Sequence, residues 1–166
     1  MAILKILQYP DERLHTIAAP VPKITDEVQS LVQDMAETMY AASGIGLAAT
    51  QVDVHQRVLV IDITSARDRL HVFINPEIIA SRGVFDYEEG CLSLPGIYEK
   101  VKRSEWITVR ALGLDGRPFE LEAEGLFAVC IQHEMDHLMG KVFVEYLSQF
   151  KQSRIRAKLK KRQRNA

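Results

Sequence analysis

From Val28 to Met39, apolar residues recur every three or four positions: Val28, Leu31, Val32, Met35 and Met39. That is the period of a helix with one face against a core. Thr25 stands just before the run as an N-cap, and Asp26 and Glu27 fall in the first turn, where the helix dipole favours acids. The spacing predicts a helix over 26–42 that stops near Ser43-Gly44, preceded by an extended segment punctuated by Pro10, Pro20 and Pro22. Shorter apolar runs at 57–62 and 71–74 suit strands, as does 84–87 with poorer alternation. The runs at 106–112 and 118–122 alternate well on either side of Asp115-Gly116 and predict a hairpin. Residues 126–139 return to a helical pattern. Leu126 to Ile131 is apolar on every side, so the first half of that helix is expected to cross the middle of the domain. The sum is an α+β domain: antiparallel sheets around a central helix, with one helix before it and one at the C-terminus.

Composition bounds this picture without changing it. A chain of 166 residues, 47% hydrophobic, buries a core of ordinary size as a single domain, assigned here to residues 1–150. No apolar run approaches the roughly 20 residues of a membrane span. The N-terminus lacks the apolar region of a secretory signal and the composition of a transit peptide, which points to a cytoplasmic protein with no membrane partner. Two cysteines, Cys91 and Cys130, do not make a disulfide framework, so each is read as core or ligand.

Charge does change it. The formal net charge is −1, yet residues 151–166 carry eight Lys and Arg and no acid, which leaves −9 on residues 1–150. The tail reads as a basic helix with a sparse apolar edge, Phe150, Ile155 and Leu159. A solvated terminal helix and one that meets phosphates both fit this pattern.

The chemistry is concentrated in CIQHEMDHLMG, Cys130 to Gly140. His133 and His137, four residues apart on a helix, stand on one face within reach of a single divalent ion. Glu134 lies beside the first histidine, where a carboxylate holds and deprotonates a water rather than binding the ion. A third ligand must come from elsewhere. The extended pattern HExxHxxGxxH is followed through Gly140, but Phe143 occupies the third histidine's place. Glu145 is the only acid after His137 and lies close to the helix end; His15, His55 and His71 are equally at home on a surface or in a core. Cys91, in EGCLSLPG (Glu89 to Gly96), is the better candidate, since a thiolate binds zinc or ferrous iron strongly. A closed site that also used Cys130 would need donors seven residues apart on one helix, about 10.5 Å along its axis. Cys130 is therefore read as a packing residue. Three protein ligands leave a position open for water, and an open position beside Glu134 means hydrolysis.

One further run, GIGLAATQ from Gly44 to Gln51, lies between a helix and a strand. Its glycines suit a backbone that passes close to a ligand, and Gln51 ends it with an amide able to donate into a site, although a surface glutamine is the commoner case. Together GIGLAATQ, EGCLSLPG and QHEMDHLMG, in this order and at these separations, resemble the three signature motifs of bacterial peptide deformylase. The resemblance implies removal of the formyl group from the N-terminal formyl-methionine of new polypeptides. It implies Cys91, His133 and His137 as ligands of one divalent metal, natively Fe2+, with Zn2+, Ni2+ or Co2+ as substitutes. Glu134 would be the general acid and base, and the Gln51 amide and Leu92 backbone N–H would stabilise the oxyanion. Ile45, Tyr87, Leu126, Val129, Cys130 and His133 would line the methionine pocket, and backbone near Gly46, Glu89 and Gly90 would pair with the peptide. Thr50 departs from the proline that many members carry, which bears on loop shape. The implied partners are nascent formyl-peptides and, through the basic C-terminal helix, the ribosome, with no sequence-specific nucleic-acid binding. A zinc endopeptidase and a noncatalytic metal-stabilised module are the competing readings.

Overall fold

The computed structural model describes residues 2–164. Helix α1 spans Asp26–Ala41, and the Thr25 side chain accepts a hydrogen bond from the Val28 amide, as its N-cap position predicts. Its buried stripe includes Val28, Val32, Met35 and Met39. Next come β1 (Gly46–Ala48), a 3-10 turn (Ala49–Val52) and β2 (Val58–Ile61). All four residues of β2 are buried, because helices cover both faces of the sheet. Val58 and Val60 pack with the α1 cluster, while Leu59 and Ile61 pack with helix α2 (Gly125–Leu138). An unbroken apolar run is what a strand covered on both sides requires.

The remaining strands are β3 (His71–Arg82), β4 (Phe85–Cys91), β5 (Leu94–Arg103), β6 (Trp106–Leu112) and β7 (Pro118–Glu124). Five form an antiparallel sheet in the order β1-β2-β3-β6-β7, and β4 and β5 form a separate antiparallel pair. Several strands depart from the sequence expectation: β4, expected over 84–87, runs from Phe85 to Cys91. β3 was expected to end at Ile74, before Asn75-Pro76. It continues to Arg82 because the ladder absorbs the interruption in register shifts between Ile74 and Glu77 and between Ile78 and Ala80. Asn75 takes a positive φ of 52° there, and both ends of its amide bond the Val21 backbone. β5 was not anticipated, since Pro95-Gly96 and its exposed charges hide the alternation of buried Ile97, Val101 and Arg103.

Helix α2 also departs from expectation. Leu126 and Phe127 are only half-buried, and burial deepens from Ala128 through Ile131 to His133, Glu134, His137 and Leu138. The core therefore encloses the histidine-bearing half of the helix more fully than its apolar first turn. Beyond it, Gly140 takes a φ of 76°, with the His15 carbonyl oxygen 2.6 Å from where a Cβ would sit. Only glycine fits there.

Helix α3 spans Gln149–Arg164; the expected basic tail extends to 166, and its last two residues lie outside those described. Ile155 and Leu159, one turn apart, are buried with Leu7, Tyr9, Leu94, Ile97, Val101 and Phe143. Phe150 does not join them: it is 71% exposed, beneath the Arg154 guanidinium. Five residues correspond to about 140° around a helix, which carries Phe150 off the Ile155 edge. Among the described residues, no helix is long and apolar enough to cross a membrane.

Candidate metal centre

The buried face of α2 presents His133 and His137 one turn apart, with ring centroids 5.1 Å from each other. Cys91 arrives at the end of β4, where the ladder with β5 shifts register after Glu89 and brings Cys91 opposite Leu94. The Cys91 sulfur and one nitrogen from each histidine lie within 4.8 Å of one another, and Sγ is 3.3 Å from His137 Nε2. Donors bound to one ion at about 2.0–2.3 Å stand roughly 3.5 Å apart, so this set fits a single cation with little movement. Sulfur with two imidazoles also suits the chemistry of zinc or ferrous iron. Cys130 lies outside the group, as its packing reading requires; His15 and His55 bond Glu145 and Asp53, and His71 packs on the Phe127 ring.

A chain of buried ionic contacts fixes the first histidine. His133 Nδ1 is 2.8 Å from Glu89 Oε1, which leaves Nε2 as the nitrogen available to a cation. Arg103 grips the Glu89 carboxylate with two hydrogen bonds, of 2.6 and 2.8 Å, and donates a third to Asp136 on α2. The Tyr146 hydroxyl also donates to Asp136, at 2.9 Å. Burial opposes the charge on Glu89, but hydrogen bonds from Arg103 and His133 outweigh it and hold the carboxyl below its usual range. Burial likewise opposes the charge on His133, yet Glu134, Cys91 and Glu89 raise its pKa, so a cation held at Nε2 would take the place of a proton. Burial and the positive charges of His133 and Arg103 push His137 the other way, toward the neutral form a ligand needs.

Glu134 is buried in the cleft wall, and burial pushes its carboxyl up to about 7. Its Oε1 has no hydrogen-bond partner among the described residues, and the same is true of His137 Nδ1. β1 comes so close that a Cβ on Gly46 would sit 2.6 Å from Glu134 Oε2, which accounts for a glycine at that point. Gln51 is 1% exposed, which removes the surface reading. Its Oε1 accepts from the Ala48 amide, and its Nε2 faces Ser93 Oγ and Cys91 Sγ. Thr50 beside it is fully buried in the 3-10 turn.

A cleft of about 630 Å³ opens over this group. Ile45, Gly46, Tyr87, Glu89, Gly90, Leu126, Val129 and Cys130 all line it, as do Cys91, Leu92, His133 and Glu134. Gln51 and His137 lie behind the lining and are almost fully buried. Burial pushes the Cys130 thiol well up, so it contributes an uncharged surface to the wall. Sequence reasoning assigned Glu89 through its backbone alone, and did not single out Arg103 or Ser93. The signal for Arg103 was present: it falls in phase with Ile97 and Val101 on the inward face of β5.

Comparison with known proteins agrees with this geometry. The polypeptide deformylase family model matches residues 3–153. Peptide deformylase 2 of Nitrosomonas europaea is 71% identical over 99% of this chain and 89% of its own length. Peptide deformylase of Neisseria gonorrhoeae is 61% identical over 99% of both. Among solved structures, a peptide deformylase from Legionella pneumophila superposes with a TM-score of 0.94 at 51% identity, covering 98% of this chain and 96% of that one. The Ehrlichia chaffeensis enzyme in complex with actinonin gives 0.95 at 39% identity over 99% of both chains. This chain belongs to the polypeptide deformylase family.

Proposed function

We infer that this chain is a metal-dependent hydrolase that removes the formyl group from the N-terminal formyl-methionine of newly made polypeptides. The observation that carries the reading is the convergence of Cys91, His133 and His137 on one point, beside the buried Glu134 carboxylate at the wall of a cleft. Cys91, His133 and His137 would hold one divalent ion, with Fe2+ as the native metal and Zn2+, Ni2+ or Co2+ able to replace it. Such an ion would supply Lewis acidity and lower the pKa of water from 15.7 toward about 7.

The chain's own residues do the rest. Glu134 takes a proton from the attacking water and returns it to the amine nitrogen as the formyl C–N bond breaks, giving formate and a free N-terminus. The Gln51 side-chain amide and the Leu92 backbone N–H stabilise the oxyanion that forms on the formyl oxygen, a contact of roughly 2.7–4 kcal/mol per donor. The position of the Gln51 amide, 3.6 Å from Cys91 Sγ, supports its share. Ile45, Tyr87, Leu126, Val129, Cys130 and the His133 ring receive the methionine side chain. β1 and β4 each have a strand partner on one side only and line the cleft together, so backbone at Gly46 and at Glu89-Gly90 pairs with an extended peptide. Recognition through backbone leaves later residues of the peptide little constrained.

Iron-loaded protein, assayed anaerobically, is expected to release formate from a formyl-Met peptide and nothing from its acetylated analogue or from an internal peptide bond. Cleavage of internal bonds would support an endopeptidase instead.

The basic face of α3 docks on the ribosome in this proposal, beside the emerging chain. Lys158, Lys160 and Lys161 are exposed there, whereas Ile155 and Leu159 are part of the core. Charge reversal at the three lysines is thus a cleaner test than deletion of the helix. Ribosome affinity should fall with hydrolysis of a short peptide intact, and unchanged affinity would remove the role.

A further inference from the structure

Gln51 is fixed at both ends of its amide. Oε1 accepts from the Ala48 N–H at 2.9 Å, while Nε2 has two acceptors in reach, Ser93 Oγ at 3.1 Å and Cys91 Sγ at 3.6 Å. Turning the amide over would place its oxygen against the sulfur and abandon the Ala48 donor. Ser93 is fully buried, so no water competes for the Nε2 hydrogen that its hydroxyl accepts. One short segment sets the distance between the two residues, although 42 positions separate them in sequence: the Leu7 amide donates to the Gln51 carbonyl at 2.7 Å, and the Tyr9 amide donates to the Ser93 carbonyl at 2.8 Å.

We propose that Ser93 is a positioning residue for Gln51: its hydroxyl occupies one N–H of the amide and leaves the second directed across Cys91 toward the reacting formyl oxygen. The proposal rests on Gln51 as oxyanion donor. An amide free to rotate would spend part of its time with no donor aimed at the developing charge. The loss therefore belongs to the transition state, not to peptide binding.

The test is a double-mutant cycle on formyl-Met-peptide hydrolysis with Ser93→Ala, Gln51→Ala and the pair. Ser93→Ala should lower kcat about tenfold at little cost in KM, and Gln51→Ala about 10²–10³-fold. In the double variant the two losses should fail to multiply, leaving kcat within about twofold of Gln51→Ala alone. Ser93→Thr, which keeps the hydroxyl, should recover most of kcat. Losses that multiply would show Ser93 acting independently of Gln51 and overturn the proposal. A second readout needs no turnover. In cobalt-loaded protein the thiolate-to-metal charge-transfer band should move to lower energy in Ser93→Ala and Gln51→Ala alike, because both relax the N–H directed at Sγ. A band unmoved by Ser93→Ala would also overturn it. If the unaltered protein released no formate, the deformylase reading would fail by itself, and the cobalt band would still decide whether Ser93 orients Gln51.

Discussion

The two halves of the candidate metal centre are held by different kinds of structure. His133, Glu134 and His137 sit within five residues of one helix, and the backbone hydrogen bonds of α2 fix their spacing whatever packs around it. Cys91 stands at the end of the β4–β5 pair, outside the five-stranded sheet. Its position depends on remote parts of the chain: the Glu89–Arg103–Asp136 link to α2, the Tyr9 amide on the Ser93 carbonyl, and the apolar cluster that β5 shares with α3. The geometry of the helix half is set by local backbone bonds, and that of the hairpin half by contacts with remote parts of the chain. Changes on α2 should accordingly fall on the chemistry, and changes in the hairpin's supports on stability and metal affinity.

Arg103 offers the hardest test of that division. Arg103→Met leaves the buried Glu89 carboxylate without its bidentate partner, and breaking a buried pair from one side costs about 3–5 kcal/mol. A fall in Tm of roughly 10 °C or more is expected for a chain of this size. A near-normal Tm would mean that the hairpin is held by its apolar cluster alone. Glu89→Gln is a smaller change. It preserves shape but weakens the hold on His133 Nδ1, so metal affinity should drop about 10–100-fold in chelator competition. Equal affinity would show that α2 orients its histidine unaided.

The smallest effect belongs to Asp62, just after β2, whose backbone amide donates to the carbonyl of the cleft residue Ile45. Its carboxylate accepts from the Thr64 hydroxyl and amide, the Tyr40 hydroxyl and the Arg69 amide. Burial works against its ionisation, but these hydrogen bonds prevail and bring its pKa from 3.8 down to about 2. A depressed carboxylate pKa stabilises the fold above the unfolded value and loses that contribution as pH falls through the folded one. Asp62→Asn should therefore be less stable than the unaltered chain at neutral pH, and the difference in denaturant midpoint should shrink between about pH 4 and pH 2. A difference that stayed constant with pH would assign the effect to packing.

The same division explains what the sequence made legible. His133, Glu134 and His137 were readable because a helix converts spacing directly into geometry. Val28 to Met39 and the 106–122 hairpin were readable for similar reasons, each being a local period or a local turn. β5 was not, because Pro95-Gly96 reads as a break and its charges obscure the inward phase of Ile97, Val101 and Arg103. The Glu89 side chain was missed because its partners lie 14 and 44 residues away. Asn75-Pro76 misled for the opposite reason: a local turn signal was absorbed by a bulge whose bonds go to Val21. Phe150 looked like part of an apolar edge in composition, but helical phase sets it on the exposed side.

The central claim is that Glu134 performs proton transfer beside a cation held by Cys91, His133 and His137. Glu134→Gln, with bound metal and formate release measured on the same preparation, tests it most directly. The expected result is one ion per chain as before, with turnover of formyl-Met peptide lowered about 10²–10⁴-fold. Loss of the metal would make Glu134 a ligand, and undiminished turnover would give the proton to another group; either result would contradict the account.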